Sequence, residues 1–188
     1  LQLNPRNAFW CQYAYQIAQQ YAIVHCGFRC GPMHNQWFEQ AVCETASLFC
    51  LRGMARTWKK GPPYPHWRSC ASALAEYADE ITSKCTYKVE FMSKGLAHFY
   101  RDHEAELRAA NADRRDLTGA IALALLPYLE EDPGRWTALR WLNATPCPEN
   151  EPFADYLTRW RNNTPEKHKG AVQGCLLYTS DAADEEDS

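Results

Sequence analysis

Apolar side chains recur at intervals of three and four residues along most of the chain, which is the spacing of an amphipathic helix. In the first segment, 8–24, the pattern is carried by Phe9, Tyr13, Ile17, Tyr21 and Val24. Gly27 and the pair Gly31-Pro32 then interrupt it. A second helical pattern begins near Asn35 and runs toward Trp58. The two segments predict neighbouring helices joined by a loop.

Further helical patterns follow, at 67–81, 91–110, 116–129, 133–142, 153–161 and from 164 onward. Asp132 and Pro133 are a suitable N-cap and first residue for the helix at 133–142. The proline-rich stretch 61–65 predicts an extended linker, because consecutive prolines are incompatible with a helix. No segment alternates convincingly as a strand would. With 188 residues the chain can bury a substantial core. We therefore expect a mainly α fold, arranged as a single compact multi-helix domain.

Hydrophobic content, net charge and cysteine spacing indicate which partners and which cellular compartment the chain favours. Hydrophobic residues make up 46% of the chain and the formal net charge is -3, which favours a globular protein without a nucleic-acid partner. No apolar run is long enough to predict a membrane segment. The nine cysteines form no C-x-x-C pair, so neither a zinc ribbon nor a thioredoxin motif is predicted. Two of them, Cys43 and Cys50, fall in an apolar helix pattern, which favours a reduced, cytoplasmic setting without fixing the localisation.

Both ends of the chain affect the predicted domain boundaries. The first residue is Leu1 rather than methionine, so we expect the natural N-terminus to lie further upstream. At the other end, 175–185 resembles the translation of an adaptor used to prepare sequencing libraries. We therefore expect a helical domain at 1–174, truncated at its N-terminus, and an artefactual, disordered tail at 175–188.

Two glutamates, Glu39 and Glu44, lie inside the apolar pattern of the second helix. Carboxylates rarely occupy such positions unless a bound metal or a buried cation compensates their desolvation. The simpler alternative places both at a helix edge, paired with Arg52, Arg56 or a helix terminus. The two alternatives predict different surroundings for the carboxylates.

The block 37–49 reads W-F-E-Q-A-V-C-E-T-A-S-L-F. It resembles W-F-E-E-x-x-C-E-x-A-S-L-F in uncharacterised bacterial proteins of the gluzincin-like metallopeptidase type. In those proteins the block follows a helix that carries A-H-E-x-x-H-V. The resemblance implies a zincin-like helical subdomain. It also implies that Glu39 occupies the third zinc-ligand position and that Glu44 occupies a position from which a carboxylate orients a ligand.

The first half of the resemblance departs from the zinc motif. Gln19 and Ile23 stand at the two histidine positions, and Gln20 stands at the position of the catalytic general base. A glutamine side chain does not accept a proton near neutral pH, and isoleucine has no atom that binds a metal. The resemblance therefore implies a pseudoenzyme that has lost its ancestral zinc. Its role would be structural or peptide-binding, with a peptide or protein as partner.

Two alternatives remain open at this point. His25, Cys26, Cys30 and His34 surround the loop between the first two helices, and with Glu39 they are residue types that bind zinc. They would allow an active metal-dependent hydrolase with a non-standard ligand set. The other alternative is a helical interaction domain unrelated to peptidases. The oligomeric state is not predicted.

Overall fold

The computed structural model describes residues 9–27, 35–109 and 114–180, with side chains through 175. Across these ranges the chain is mainly helical and contains no strand, so the predicted mainly α class is confirmed. The α-helices are α1 (Trp10–His25), α2 (Gln36–Lys60), α3 (Cys70–Ser83), α4 (Lys88–Ala109), α5 (Arg115–Glu131), α6 (Phe153–Asn163) and α7 (Glu166–Ser180). Two 3-10 segments occupy Pro65–Trp67 and Pro133–Trp141. None of the helices in the described ranges is long and apolar enough to cross a membrane.

Helix α2 is the centre of the structure and packs against α1, α3 and α5. Its apolar residues are buried on several sides, which explains why its pattern extends well beyond one stripe. Helix α1 runs antiparallel to it. The Ser47 hydroxyl donates to the Tyr15 carbonyl over 2.9 Å, while Cys26, at the other end of α1, contacts Cys43 near the start of α2.

The main hydrophobic core lies between α2, α4, α5, α6 and α7. Its centre is α5, where Leu117, Ile121 and Leu125 are fully buried. A smaller cluster, which includes Leu48, Leu51 and Leu74, joins α1 and α3 to the opposite side of α2. The two cores place α2 between two layers of helices, so that polar side chains on α2 have to be satisfied inside the protein.

Two helices differ from the sequence prediction in their internal geometry. Helix α4 is broken at Gly95, whose φ of 69° lies in the left-handed region that glycine adopts without steric cost. The segment at 133–142, predicted as a helix, forms a 3-10 helix instead. Its start was predicted correctly, since Asp132 accepts a hydrogen bond from the Gly134 amide over 2.8 Å and Pro133 is the first helical residue.

Helix α7 continues past the predicted boundary at 174. It extends through Ser180, and Cys175 is buried in the main core. The boundary therefore does not coincide with the end of a structural element. The adaptor origin of 175–185 stays a prediction, and 181–188 lie outside the described residues.

Candidate functional site

Glu39 lies in the first turn of α2, and its side chain is completely buried. The Tyr156 hydroxyl, on α6, donates a hydrogen bond to Glu39 Oε1 over 3.2 Å. Asn143, just after the second 3-10 segment, lies beside the carboxylate, whose other oxygen, Oε2, is buried without a hydrogen-bond partner among the described residues. Burial raises the pKa of Glu39 to about 6, although Asn143, Tyr156 and the nearby Arg159 charge oppose the increase. Glu39 is therefore a buried acid that exchanges its proton close to neutral pH.

A buried ion pair lies beside this acid. Arg159 Nε is 2.9 Å from Glu151 Oε1, and the two side chains are only 14% and 7% exposed. Arg159 also donates to the carbonyls of Leu142 and Thr145. Because Glu151 already neutralises Arg159, Glu39 does not form an ion pair of its own within the described chain.

Two buried thiols connect Glu39 to α1. Cys26, at the end of α1, lies against Cys43 of α2, and this neighbouring thiol, burial and the Glu39 charge raise the pKa of Cys26. Gln19 and Ile23 precede Cys26 by seven and three residues, so all three lie on one face of α1. Of the three, Cys26 lies near enough to Glu39 for the carboxylate charge to raise its pKa. The hydrogen bond to the Glu39 carboxylate comes from Tyr156 of α6 rather than from α1.

The alternative metal ligands are only partly described. His25 Nε2 is 3.3 Å from the Trp136 carbonyl oxygen, and its ring stacks on Tyr21. Cys26, the next residue, is buried against Cys43 instead. Cys30 and His34 lie outside the described residues. Within the ranges that are described, no three histidine, cysteine or acidic side chains are grouped to hold a metal.

Glu44 lies five residues after Glu39, or about 140° around the helix. It is 7% exposed and accepts hydrogen bonds from Tyr15 over 3.3 Å and from Thr118 over 3.4 Å. Burial raises the pKa of Glu44, whereas the Tyr15 hydrogen bond and the Arg115 charge oppose this. Glu44 therefore faces α1, α3 and α5, and the two glutamates belong to separate environments.

The predicted pairing of the glutamates with Arg52 or Arg56 at a helix edge is wrong, although Glu39 does lie in the first turn of a helix. Arg52 and Arg56 both bind Glu130 of α5, at 3.1 and 2.8 Å, and they do so on the protein surface. Glu39 and Glu44 are instead buried and held by neutral donors.

The polar partners of Glu39 were not predicted from the sequence. Tyr156 lies in an aromatic helical pattern that indicates core packing, and it is indeed part of the core. Its hydroxyl meets Glu39 across 117 positions of sequence. Asn143 and Arg159 come from equally distant segments, and one sequence contains no signal that pairs them with α2.

The class of protein that these features define is a mainly α domain with two buried carboxylates on its central helix. Comparisons with protein-family models, with curated proteins and with solved structures found no match.

Proposed function

We propose that this chain is a metallopeptidase-like helical domain without hydrolytic activity, in which Glu39 has changed from a metal ligand to an internal structural acid. The observation that carries the proposal is the position of Glu39. It lies fully buried in the first turn of α2, near Cys26 at the end of the antiparallel α1, whose face also contains Gln19 and Ile23. This relation between two helices is what a zinc site of the H-E-x-x-H type with a glutamate ligand requires.

The chemistry of the substituted residues argues against catalysis. Gln19 offers a weak ligand, Ile23 offers none, and Gln20 does not take a proton from water near neutral pH. Around Glu39, the Tyr156 hydroxyl donates to Oε1 and the Asn143 side chain lies beside the carboxylate, so neutral polar groups rather than metal ligands adjoin it. The residues present do not fit a zinc ion, and the domain keeps a structural role.

Restoring the motif tests this proposal. The triple variant Gln19→His, Gln20→Glu and Ile23→His should bind one zinc ion per chain, measured by elemental analysis after dialysis and by the visible spectrum of the cobalt form. Adding Glu39→Gln should then weaken binding at least tenfold, since one ligand is lost. If the triple variant folds and binds no stoichiometric metal, or binds it independently of Glu39, the proposed ancestry is wrong.

A matched control separates a restored site from adventitious binding. Gln20→His with Val24→His gives the same spacing of two histidines, but Val24 is 74% exposed. This surface pair should bind zinc weakly, and Glu39→Gln should not change its affinity.

A peptide-binding role is the second candidate, favoured by a groove of about 600 Å³ between α4, α6 and α7. Tyr100, Phe153 and Leu157 form its apolar surface, and Arg101 and Glu104 provide charge beside it. A groove of this size and composition suits a short amphipathic segment.

Panning a random-peptide display library against the protein tests the second candidate. Enriched peptides should lose binding to Leu157→Arg and keep it with Asp155→Arg, an exposed position on the same helix. Peptides that bind both variants equally, or no enrichment at all, would contradict peptide binding in this groove.

A further inference from the structure

A cleft of about 340 Å³ opens beside α2, between α3 and α5, on the side of the molecule that Glu39 does not face. Its volume is within the range that binds small molecules. Glu44, Tyr15 and Arg115 are among the residues that line it.

The Glu44 carboxylate is unusually placed for a buried charge. Its two hydrogen bonds, from Tyr15 and Thr118, are long at 3.3 and 3.4 Å and come from neutral hydroxyls. Within the described chain, Glu44 forms no ion pair. The nearby Arg115 charge compensates it only in part, since burial still raises the pKa of Glu44, and a ligand with a positively charged group would supply a direct partner.

Arg115 provides the opposite charge at the same cleft. The neighbouring Arg114 binds Asp116 and Glu106, and Lys84 binds Glu80. Arg115 itself forms no ion pair with the described residues, and it is the first residue of α5. Its guanidinium and the helix N-terminus both favour an anionic group.

The walls between these charges are apolar. Leu48, Ile81 and Leu123 line the cleft. Gly119 leaves space beside the carboxylate, because a Cβ added there would be in van der Waals contact with Glu44 Oε1, at 3.7 Å. Lys84 and Asp116 also line the cleft, but each is paired, with Glu80 and Arg114 respectively. The cleft thus combines a buried anion, apolar side chains and a cation that forms no ion pair with the described residues.

We propose that this cleft binds a small zwitterion, an α-amino acid with an aliphatic side chain. Its ammonium group binds Glu44, its carboxylate binds Arg115, and its side chain packs on Leu48, Ile81 and Leu123. The inference does not depend on peptidase ancestry, because Glu39, Gln19 and Ile23 are not involved.

Calorimetric titration of the whole chain with L-leucine tests the proposal. Binding should weaken at least tenfold for 4-methylpentanoate, which lacks the ammonium group, and for 3-methylbutylamine, which lacks the carboxylate. Glu44→Gln and Arg115→Gln should each weaken L-leucine binding by a similar factor. The control Arg68→Gln, at an exposed arginine away from the cleft, should leave it unchanged.

A second measurement needs no variant. Cys85 lines the cleft, whereas Cys50 does not. L-leucine should slow the alkylation of Cys85 by iodoacetamide, followed by peptide mass spectrometry, and leave Cys50 unaffected. The proposal is wrong if L-leucine neither binds nor protects Cys85, if both single-charge analogues act as well as L-leucine, or if the folded variants bind it normally.

Discussion

Replacing Glu39 by glutamine should make the protein more stable at pH 8 and leave its stability nearly unchanged at pH 4. Glutamine has the shape of the protonated acid, and its carbonyl oxygen still accepts the hydrogen bond from Tyr156. The substitution therefore removes only the buried negative charge. We expect its effect to follow the ionisation of Glu39.

The magnitude follows from the pKa of Glu39, which burial raises from the ordinary value of 4.5 to about 6. An acid whose pKa is higher in the folded state binds its proton more tightly there. Its contribution to stability is then complete below pH 4.5 and is lost as the pH rises through 6. The increase corresponds to about 2 kcal/mol, and Glu39→Gln should recover about that much at pH 8.

Urea unfolding, followed by far-UV circular dichroism between pH 4 and pH 8, measures this effect. The informative quantity is the difference in free energy of unfolding between Glu39→Gln and the original chain. In that difference the contributions of other acids, including Glu44, cancel. Tyr156→Phe is the matched control. It removes a hydrogen bond that lowers the pKa of Glu39, so the loss of stability toward high pH should become larger.

Two results would refute the reasoning. A difference that does not change with pH would mean that Glu39 keeps one charge state throughout. A variant that is less stable at pH 8 would mean that the negative charge is compensated, as it would be by a metal or by direct pairing with Arg159.

Two further predictions concern packing elsewhere in the fold. Gly174→Ala should destabilise the protein by about 1–3 kcal/mol, because the new Cβ would overlap the Tyr128 hydroxyl. Gly170→Ala has open space around the new Cβ and should stabilise α7 by up to about 1 kcal/mol. Thermal unfolding compares the two, and equal effects would contradict the packing of α7 on α5. Arg159→Met should cost about 3 kcal/mol at pH 7 by leaving Glu151 buried without its partner, and adding Glu151→Met should recover most of that loss. Urea unfolding checks this pair, and a single variant as stable as the original chain would disprove the role of the ion pair.

The helices were predictable because their signals are local. Apolar spacing identified the α1 and α2 segments to within a few residues, and Asp132 with Pro133 marked the start of the second 3-10 segment. The break at Gly95 was not predicted, since a glycine inside a helical pattern is compatible with an unbroken helix as well. Which of the two forms depends on packing between distant segments.

The candidate site was predictable in only one respect, the burial of Glu39 and Glu44. Carboxylates within an apolar helix pattern indicate burial, and both are buried. Their partners depend on contacts across the fold, such as Tyr156 with Glu39 and Thr118 with Glu44. The sequence also suggested that the two glutamates belong to one site, whereas the angle between them on α2 turns their side chains toward different neighbouring helices.

This separation has a consequence for how the domain could change its function. Glu39 is completely buried and accepts a hydrogen bond from Tyr156, so a ligand there would have to enter the core of the protein. Glu44 borders an open cleft and is held by two long hydrogen bonds, so a ligand in the cleft would reach its carboxylate without entering the core. Loss of a metal at Glu39 would therefore leave the chemistry of the Glu44 cleft intact. If the domain retains a binding activity at either glutamate, physical accessibility favours Glu44 as its place.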